Sequence, residues 1–137
     1  TVLLAIADCQ GLFAAGICSY PVTDMIDLAD STHRFERNYC HNLIGAYPRF
    51  HKLYLERSAC LKADQIIDPL LLFHGDEDKV VSLKHSVAIA ESLEKRNIPC
   101  EFYVYKGEGH GFRNNINVIN YYDAIDRFLS KHVVGTI

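Results

Sequence analysis

Three short apolar segments constrain the fold of this chain more than any other feature. They span residues 13–20, 70–74 and 101–105, and turn residues or charged loops bound each of them. Short runs that are apolar on both faces are typical of strands buried inside a parallel sheet. Segments of helical character alternate with them. The sequence therefore predicts an α/β fold with about three parallel strands and flanking helices.

Helical patterns occupy four segments, which are residues 1–8, 49–55, 82–96 and 115–132. Ser82 is the predicted N-cap of the third segment, and Ser31 is the predicted N-cap of a further helix that runs through His41. The last helix is amphipathic, with a predicted buried stripe of Val118, Ile119, Tyr122, Ile125 and Phe128.

The composition excludes several classes of function. The chain of 137 residues has the length of a single domain. Its net charge of −3 and its pI of about 6.1 argue against a nucleic-acid-binding surface, and no cluster of Lys and Arg offsets them. The longest apolar run is too short to span a bilayer. We therefore expect neither nucleic acid nor a membrane as a partner.

The five cysteines are odd in number and widely spaced, without a C-x-x-C pair or a zinc-type Cys/His spacing. This usage predicts reduced core thiols in a cytoplasmic protein. The acidic run of residues 76–78 lacks further ligands at the spacing that a metal site needs. We therefore expect neither a metal nor a cofactor.

Two loops that follow predicted strands carry ionisable side chains. Residues 74–81 follow the second strand and contain Asp78, and residues 109–111 follow the third strand and contain His110. Ligands of open parallel sheets lie outside the carboxyl ends of the strands, where these loops meet. A carboxylate that orients a histidine is two-thirds of a Ser-His-Asp triad. Asp76 is the alternative acid in the same loop.

The nucleophile of such a triad is not found in these residues. In α/β hydrolases the serine precedes the acid and the base along the chain, inside a Gly-x-Ser-x-Gly elbow, and this sequence has no such motif. Cys18 and Ser19 lie at the end of the first predicted strand, near the expected position. Neither lies on a strained elbow, so an ordinary strand end is the favoured interpretation of both.

The two loops resemble those of one family of serine peptidases. The segment from Pro69 to Val81 is similar to the aspartate loop of the prolyl oligopeptidase family, especially its acylaminoacyl-peptidase and dipeptidyl-peptidase-like branch. The segment from Gly107 to Phe112 resembles the histidine loop of that family. Further segments match in order along almost the whole chain, at residues 13–16, 22–25, 32–39 and 54–58.

The resemblance implies that residues 1–137 are the C-terminal portion of an α/β-hydrolase catalytic domain, without its first strands and nucleophile elbow. Asp78 would then orient His110, the general base, in a parent enzyme that hydrolyses short peptides or acylated amino acids. The chain alone would be inactive, since it lacks the serine. Pro21, where the family pattern has Gly, and Ala59, where it has Pro, depart from that pattern.

Two alternatives remain open. The chain could be a non-catalytic, truncated interaction module, because a sheet cut at residues 13–20 exposes an apolar strand edge that self-associates or pairs with the missing half. It could also be part of an esterase of the same fold, which would use Asp78 and His110 in the same roles.

Overall fold

The computed structural model describes residues 1–31 and 39–136. Three parallel strands form one sheet in the order β1-β2-β3, and they are β1 (Gly16–Ser19), β2 (Leu70–Gly75) and β3 (Cys100–Tyr105). The predicted α/β fold with about three parallel strands is confirmed.

The α-helices of the described residues are α1 (Val2–Asp8), α2 (Met25–Ser31), α3 (Tyr39–Leu43), α4 (His51–Glu56), α5 (Lys84–Glu94) and α6 (Asn115–His132). Two 3₁₀ helices span Ala59–Gln65 and Val134–Thr136.

The central strand β2 is buried along its whole length, and this explains its run of apolar residues from Leu70 to Phe73. Leu70 and Leu72 pack with α1, α5 and the first 3₁₀ helix on one face of the sheet. Leu71 and Phe73 pack with α6 on the other face. Because alternate side chains of a strand point to opposite faces, a strand between two helical layers favours apolar residues at successive positions.

The first strand is shorter than the sequence predicted. Phe13 and Ala14 are exposed and precede β1, which begins only at Gly16. A Cβ atom at Gly16 would lie 3.0 Å from Leu70 Cδ1 and 3.2 Å from Ile6 Cδ1. The absence of a side chain at Gly16 therefore lets α1 pack closely on the sheet where pairing starts.

One predicted N-cap is wrong. The residue that precedes α5 is Leu83, and Ser82 lies one position before it. Ser31, the other predicted N-cap, lies in α2. Most of the helix predicted from Ser31 to His41 falls on residues 32–38, which lie outside the described residues. Hydroxyl residues near a helix end look alike in sequence, and only the backbone path decides which one is the cap.

The predicted buried stripe of α6 is partly wrong. Ile119 and Tyr122 are 61% and 65% exposed, whereas Ala124 and Phe128 are buried and Tyr121 packs against Phe73. Apolar residues occur on more than one side of this helix, so periodicity alone does not settle which side meets the sheet.

Within the described ranges, no helix is long and apolar enough to cross a membrane.

All five cysteines are free, as the sequence predicted. Cys18 and Cys40 are buried, while Cys9 is exposed and is not a core thiol.

Candidate active site

The loops that follow β2 and β3 are joined to each other by hydrogen bonds from backbone amides. The amide of Glu77 donates to the carbonyl oxygen of Glu108 at 2.9 Å, and the amide of Gly107 donates to Asp76 Oδ1 at 2.6 Å. A Cβ atom at Gly75 would lie 2.2 Å from the carbonyl oxygen of Glu108, so a side chain at this position would force the loops apart. The backbone therefore holds the two loops in contact.

Asp78 and His110 form a hydrogen bond across these loops, with Nδ1 of the imidazole 2.9 Å from Oδ2 of the carboxylate. An ionised carboxylate only accepts hydrogen bonds, so Nδ1 carries the proton and Nε2 keeps a free lone pair. The amide of Gly111 donates to the carbonyl oxygen of Gly109 at 3.0 Å, which places His110 at the centre of a three-residue turn. The φ angle of Gly111 is 123°, a conformation that favours glycine.

The Asp78 side chain is fully buried, whereas the His110 side chain is 35% exposed. Burial alone would raise the pKa of the Asp78 carboxyl, but hydrogen bonds from the Val81 amide, the His110 ring and the Val80 amide hold it below its ordinary value. The two amides donate to Oδ1 at 2.9 and 2.8 Å, which leaves Oδ2 for the histidine. Asp78 is therefore a fixed anion that orients the imidazole.

His74 is part of this arrangement and was not identified from the sequence. Its ring is fully buried, with Nδ1 2.7 Å from Ser86 Oγ and Nε2 3.0 Å from the carbonyl oxygen of Val81. Nε2 donates its proton to the Val81 carbonyl, so Nδ1 accepts from the serine hydroxyl. His74 Nε2 also lies 3.4 Å from Asp78 Oδ2. The sequence signal for such a role would have been a histidine at the end of an otherwise apolar run that is predicted to be a buried strand.

Glu108 is the second residue that the sequence analysis missed. Its buried carboxylate accepts hydrogen bonds from the amides of Arg113 and Asn114 and from Asn117 Nδ2, each at 2.9 Å. The hydrogen bond from Asn117, followed by those from the two amides, lowers the pKa of the Glu108 carboxyl. Glu108 thereby fixes the loop that carries His110 to the first turn of α6.

The other candidates named from the sequence do not meet His110. Asp76 bonds to the backbone of Gly107 instead, so it joins the loops. Burial raises the pKa of the Cys18 thiol to about 12, which makes it a poor nucleophile. The Ser19 hydroxyl lies 3.1 Å from that of Tyr121, and in the described part of the chain no hydrogen bond joins Ser19 to His110.

A second histidine–carboxylate pair lies between α2 and α5. His85 is buried, its Nε2 lies 2.9 Å from Asp27 Oδ2, and its Nδ1 faces the amides of Thr23 and Asp24 at 3.2 and 3.3 Å. An amide can only donate, so Nδ1 is an acceptor and both ring nitrogens are used. This histidine has no lone pair left for a base, and it links α5 to the start of α2. Of these two histidines, His110 is the one whose Nε2 has no hydrogen-bond partner in the described part of the chain.

The site offers an oriented imidazole base at the carboxyl end of a parallel sheet. Across residues 1–31 and 39–136, no group of three or more His, Cys, Asp or Glu side chains could hold a metal ion. The combination of three parallel strands, an acid after β2 and a histidine after β3 is that of an α/β hydrolase.

Comparison with known proteins identifies the family. Residues 1–136 match the prolyl oligopeptidase family of peptidases, and the chain belongs to it. The puromycin-hydrolyzing peptidase of Mycobacterium tuberculosis superposes with a TM-score of 0.89 at 33% identity, over 96% of this chain and 20% of that one. The acylaminoacyl peptidase of Pyrococcus horikoshii, at 21% identity, shows the same fold with a TM-score of 0.81 over 93% of this chain and 21% of that one.

A curated relative is also similar in sequence. The dipeptidyl aminopeptidase BIII of Pseudoxanthomonas mexicana is 33% identical over 84 residues, which are 61% of this chain and 12% of that protein. The chain therefore spans a small part of the length of its relatives. Both the predicted family and the predicted α/β-hydrolase fold are confirmed.

Proposed function

We propose that this chain supplies the acid and the base of a serine-type peptidase that hydrolyses short peptides or acylated amino acids. The observation that supports this most is the 2.9 Å hydrogen bond between His110 Nδ1 and Asp78 Oδ2. It fixes the tautomer in which Nε2 can accept a proton, and the lowered pKa of Asp78 keeps the carboxylate ionised at neutral pH.

The nucleophile, in this proposal, is a serine in the part of the parent protein that precedes Thr1. His110 Nε2 takes the hydroxyl proton as the serine oxygen bonds to the substrate carbonyl carbon. His110 then returns that proton to the leaving amine as the C–N bond breaks, and an acyl-serine remains. Water, deprotonated by the same nitrogen, hydrolyses the acyl-serine and regenerates the enzyme. Asp78 stays ionised throughout.

The family and its relatives support the proposed substrate class. Proteins named as dipeptidyl aminopeptidase, acylaminoacyl peptidase and puromycin-hydrolyzing peptidase are similar to this chain. We therefore propose aminoacyl and short peptidyl amides as the first substrates to test, with puromycin among them. Activity on esters alone would favour the esterase alternative.

The outer edge of β1 is proposed to pair with the preceding part of the parent protein. Within the described residues no strand pairs with this edge, and Thr1 to Leu4 line a groove beside it with Ile17 and Arg57. The start of α1 therefore lies beside the free edge, where a preceding strand would arrive. Light scattering of the isolated chain tests this: an exposed edge predicts self-association, and a clean monomer contradicts it.

The experiment for the catalytic proposal uses the full-length parent protein. A fluorophosphonate probe should label one serine, and His110→Ala should abolish both the labelling and the hydrolysis of aminoacyl amides. His85→Gln is the matched control, because it removes a histidine that has no free ring nitrogen. Equal loss in both variants would contradict the assignment of His110.

The isolated chain provides the complementary test. We propose that it is inactive, so a chromogenic ester should not turn over above the rate without protein. Turnover that His110→Ala abolishes would refute this. A cytoplasmic location stays a prediction from the cysteine usage.

A further inference from the structure

Tyr20 has an unfavourable backbone conformation at the carboxyl end of β1. Its φ angle is 40°, a left-handed value that bulky residues rarely adopt. The next residue is Pro21, and a residue before proline is normally extended. Its amide donates to the carbonyl oxygen of Phe73 at 2.7 Å, so the chain is held to the sheet up to this point. Strain of this kind persists only where the surrounding structure enforces it, and it is concentrated at functional sites.

This conformation places the phenol ring against His110. The centroids of the two rings are 4.3 Å apart with an interplanar angle of 50°. The Tyr20 ring also contacts Phe112, with a centroid distance of 5.7 Å in an edge-on arrangement. Phe112 in turn packs against Tyr105 at 4.9 Å. The aromatic contact therefore extends from the tip of β1 through the histidine loop to the end of β3.

The imidazole is thus held from two directions by two different elements. Asp78 binds Nδ1, and the hydrogen bond alone leaves the ring free to tilt about the Nδ1–Oδ2 direction. The contact with Tyr20 restricts that tilt. Because the free Nε2 must point at a serine hydroxyl and then at a leaving group, the orientation of the ring decides the rate of proton transfer.

We propose that Tyr20 is a positioning residue for His110 and that its ring favours the imidazolium formed during the reaction. This inference rests on the proposed function. In the transition state Nε2 holds the serine proton and the ring carries a positive charge. An aromatic ring within about 6 Å of a cation attracts it, so the charged ring is held more strongly than the neutral one. The contact then acts on the transition state more than on substrate binding.

The first test uses steady-state kinetics of the full-length protein on an aminoacyl amide. Tyr20→Leu removes the aromatic ring and keeps an apolar side chain. We expect kcat to fall about tenfold with KM nearly unchanged. Tyr20→Phe keeps the ring and should restore kcat to within about twofold of the wild type. Tyr122→Leu is the matched control, since Tyr122 is 65% exposed on α6, and it should leave kcat unchanged.

The second test does not depend on hydrolysis. Diethyl pyrocarbonate modifies accessible imidazole nitrogens, and mass spectrometry of peptides gives the rate at His110. We expect this rate to rise severalfold in Tyr20→Leu and to remain near the wild-type value in Tyr20→Phe. Thermal melting of each variant establishes that the fold is retained.

The outcomes separate the two proposals. An inactive wild-type protein contradicts the proposed function, while the modification rates still judge the contact between Tyr20 and His110. An active wild-type protein whose kcat and modification rate are unchanged in Tyr20→Leu overturns the inference. A rise of KM with constant kcat also overturns it, because that change indicates a substrate-binding role.

Discussion

The Asp76 carboxylate accepts a 2.6 Å hydrogen bond from the amide of Gly107, and this contact joins the loop after β2 to the loop after β3. Asp78, two residues further on, uses its carboxylate to orient His110 instead. The two acids of this loop therefore have different structural roles. Asp76 joins the two loops, and Asp78 orients the imidazole of His110.

The first prediction separates these two acids by activity. Asp78→Asn should lower kcat of the full-length protein by about 10³–10⁴-fold, because an amide that donates to Nδ1 enforces the wrong histidine tautomer. Asp76→Asn keeps an oxygen that accepts from the Gly107 amide and removes only its charge, so it should cost at most about 1 kcal/mol of stability, with kcat reduced less than about tenfold. Steady-state kinetics of both variants, measured at equal folded fraction, test this difference in kcat. Equal losses of kcat would contradict the division of roles.

The second prediction concerns acid stability. The folded-state pKa of Glu108 is lowered from its ordinary value of 4.5, so the ionised carboxylate stabilises the fold above that pH. This stabilisation is lost as the pH falls through the lowered folded-state pKa. In Glu108→Gln the fall of Tm between about pH 6 and pH 3 should be shallower than in the wild type.

The control for Glu108 is Glu56→Gln. The Glu56 side chain is 56% exposed and lies 3.8 Å from Lys52, so its contribution is screened by solvent. Its Tm should follow the wild-type dependence on pH. If Glu108→Gln also follows it, the Glu108 carboxylate does not stabilise the start of α6 through its charge.

The third prediction tests the buried histidine of β2. Ser86→Ala leaves His74 Nδ1 without its 2.7 Å partner inside the protein. A buried acceptor without a hydrogen bond costs about 1–3 kcal/mol, and the free energy of unfolding should fall by that amount. Ser92→Ala, on the same helix and only partly buried, should change it by less than about 0.5 kcal/mol. Denaturant titration of the full-length protein measures both, and similar values would refute the role of His74.

The fourth prediction tests the close approach of the two loops. In Gly75→Ala the new methyl group would meet the Glu108 carbonyl oxygen at 2.2 Å, so the loops must separate. We expect a loss of about 1–3 kcal/mol of stability together with a fall in kcat. Gly109→Ala serves as the control for stability, because its Cβ would find nothing nearer than 3.9 Å. A stable and fully active Gly75→Ala variant would show that the contact is dispensable.

Much of the fold was predictable from local pattern. The apolar run of β2 and the helical period of α5 identified these elements. A strand buried on both faces has an unbroken apolar run, whereas a helix buried on one face has apolar residues every three or four positions. The side of α6 that meets the sheet was misjudged, since Ile119 and Tyr122 are apolar yet exposed. Hydrophobicity shows that a residue can be buried, and the packing of neighbouring elements decides whether it is.

The candidate site was also predictable only in part from the sequence. Asp78 and His110 were identifiable because loops after adjacent parallel strands must meet, and because their residues resemble one peptidase family. His74, Glu108 and Tyr20 were not, since their roles depend on contacts between segments that are distant in the chain.

The sequence by itself determined the order of the elements, the candidate acid Asp78 and base His110, and the absence of a Gly-x-Ser-x-Gly motif in these residues. Only the tertiary structure decided which oxygen of Asp78 meets the imidazole, that both ring nitrogens of His85 have partners, and that the Tyr20 ring lies against His110. The physical reason is that periodicity and motifs record what each segment requires locally. A hydrogen bond or a ring contact exists only when the packing of several segments fixes two side chains at once.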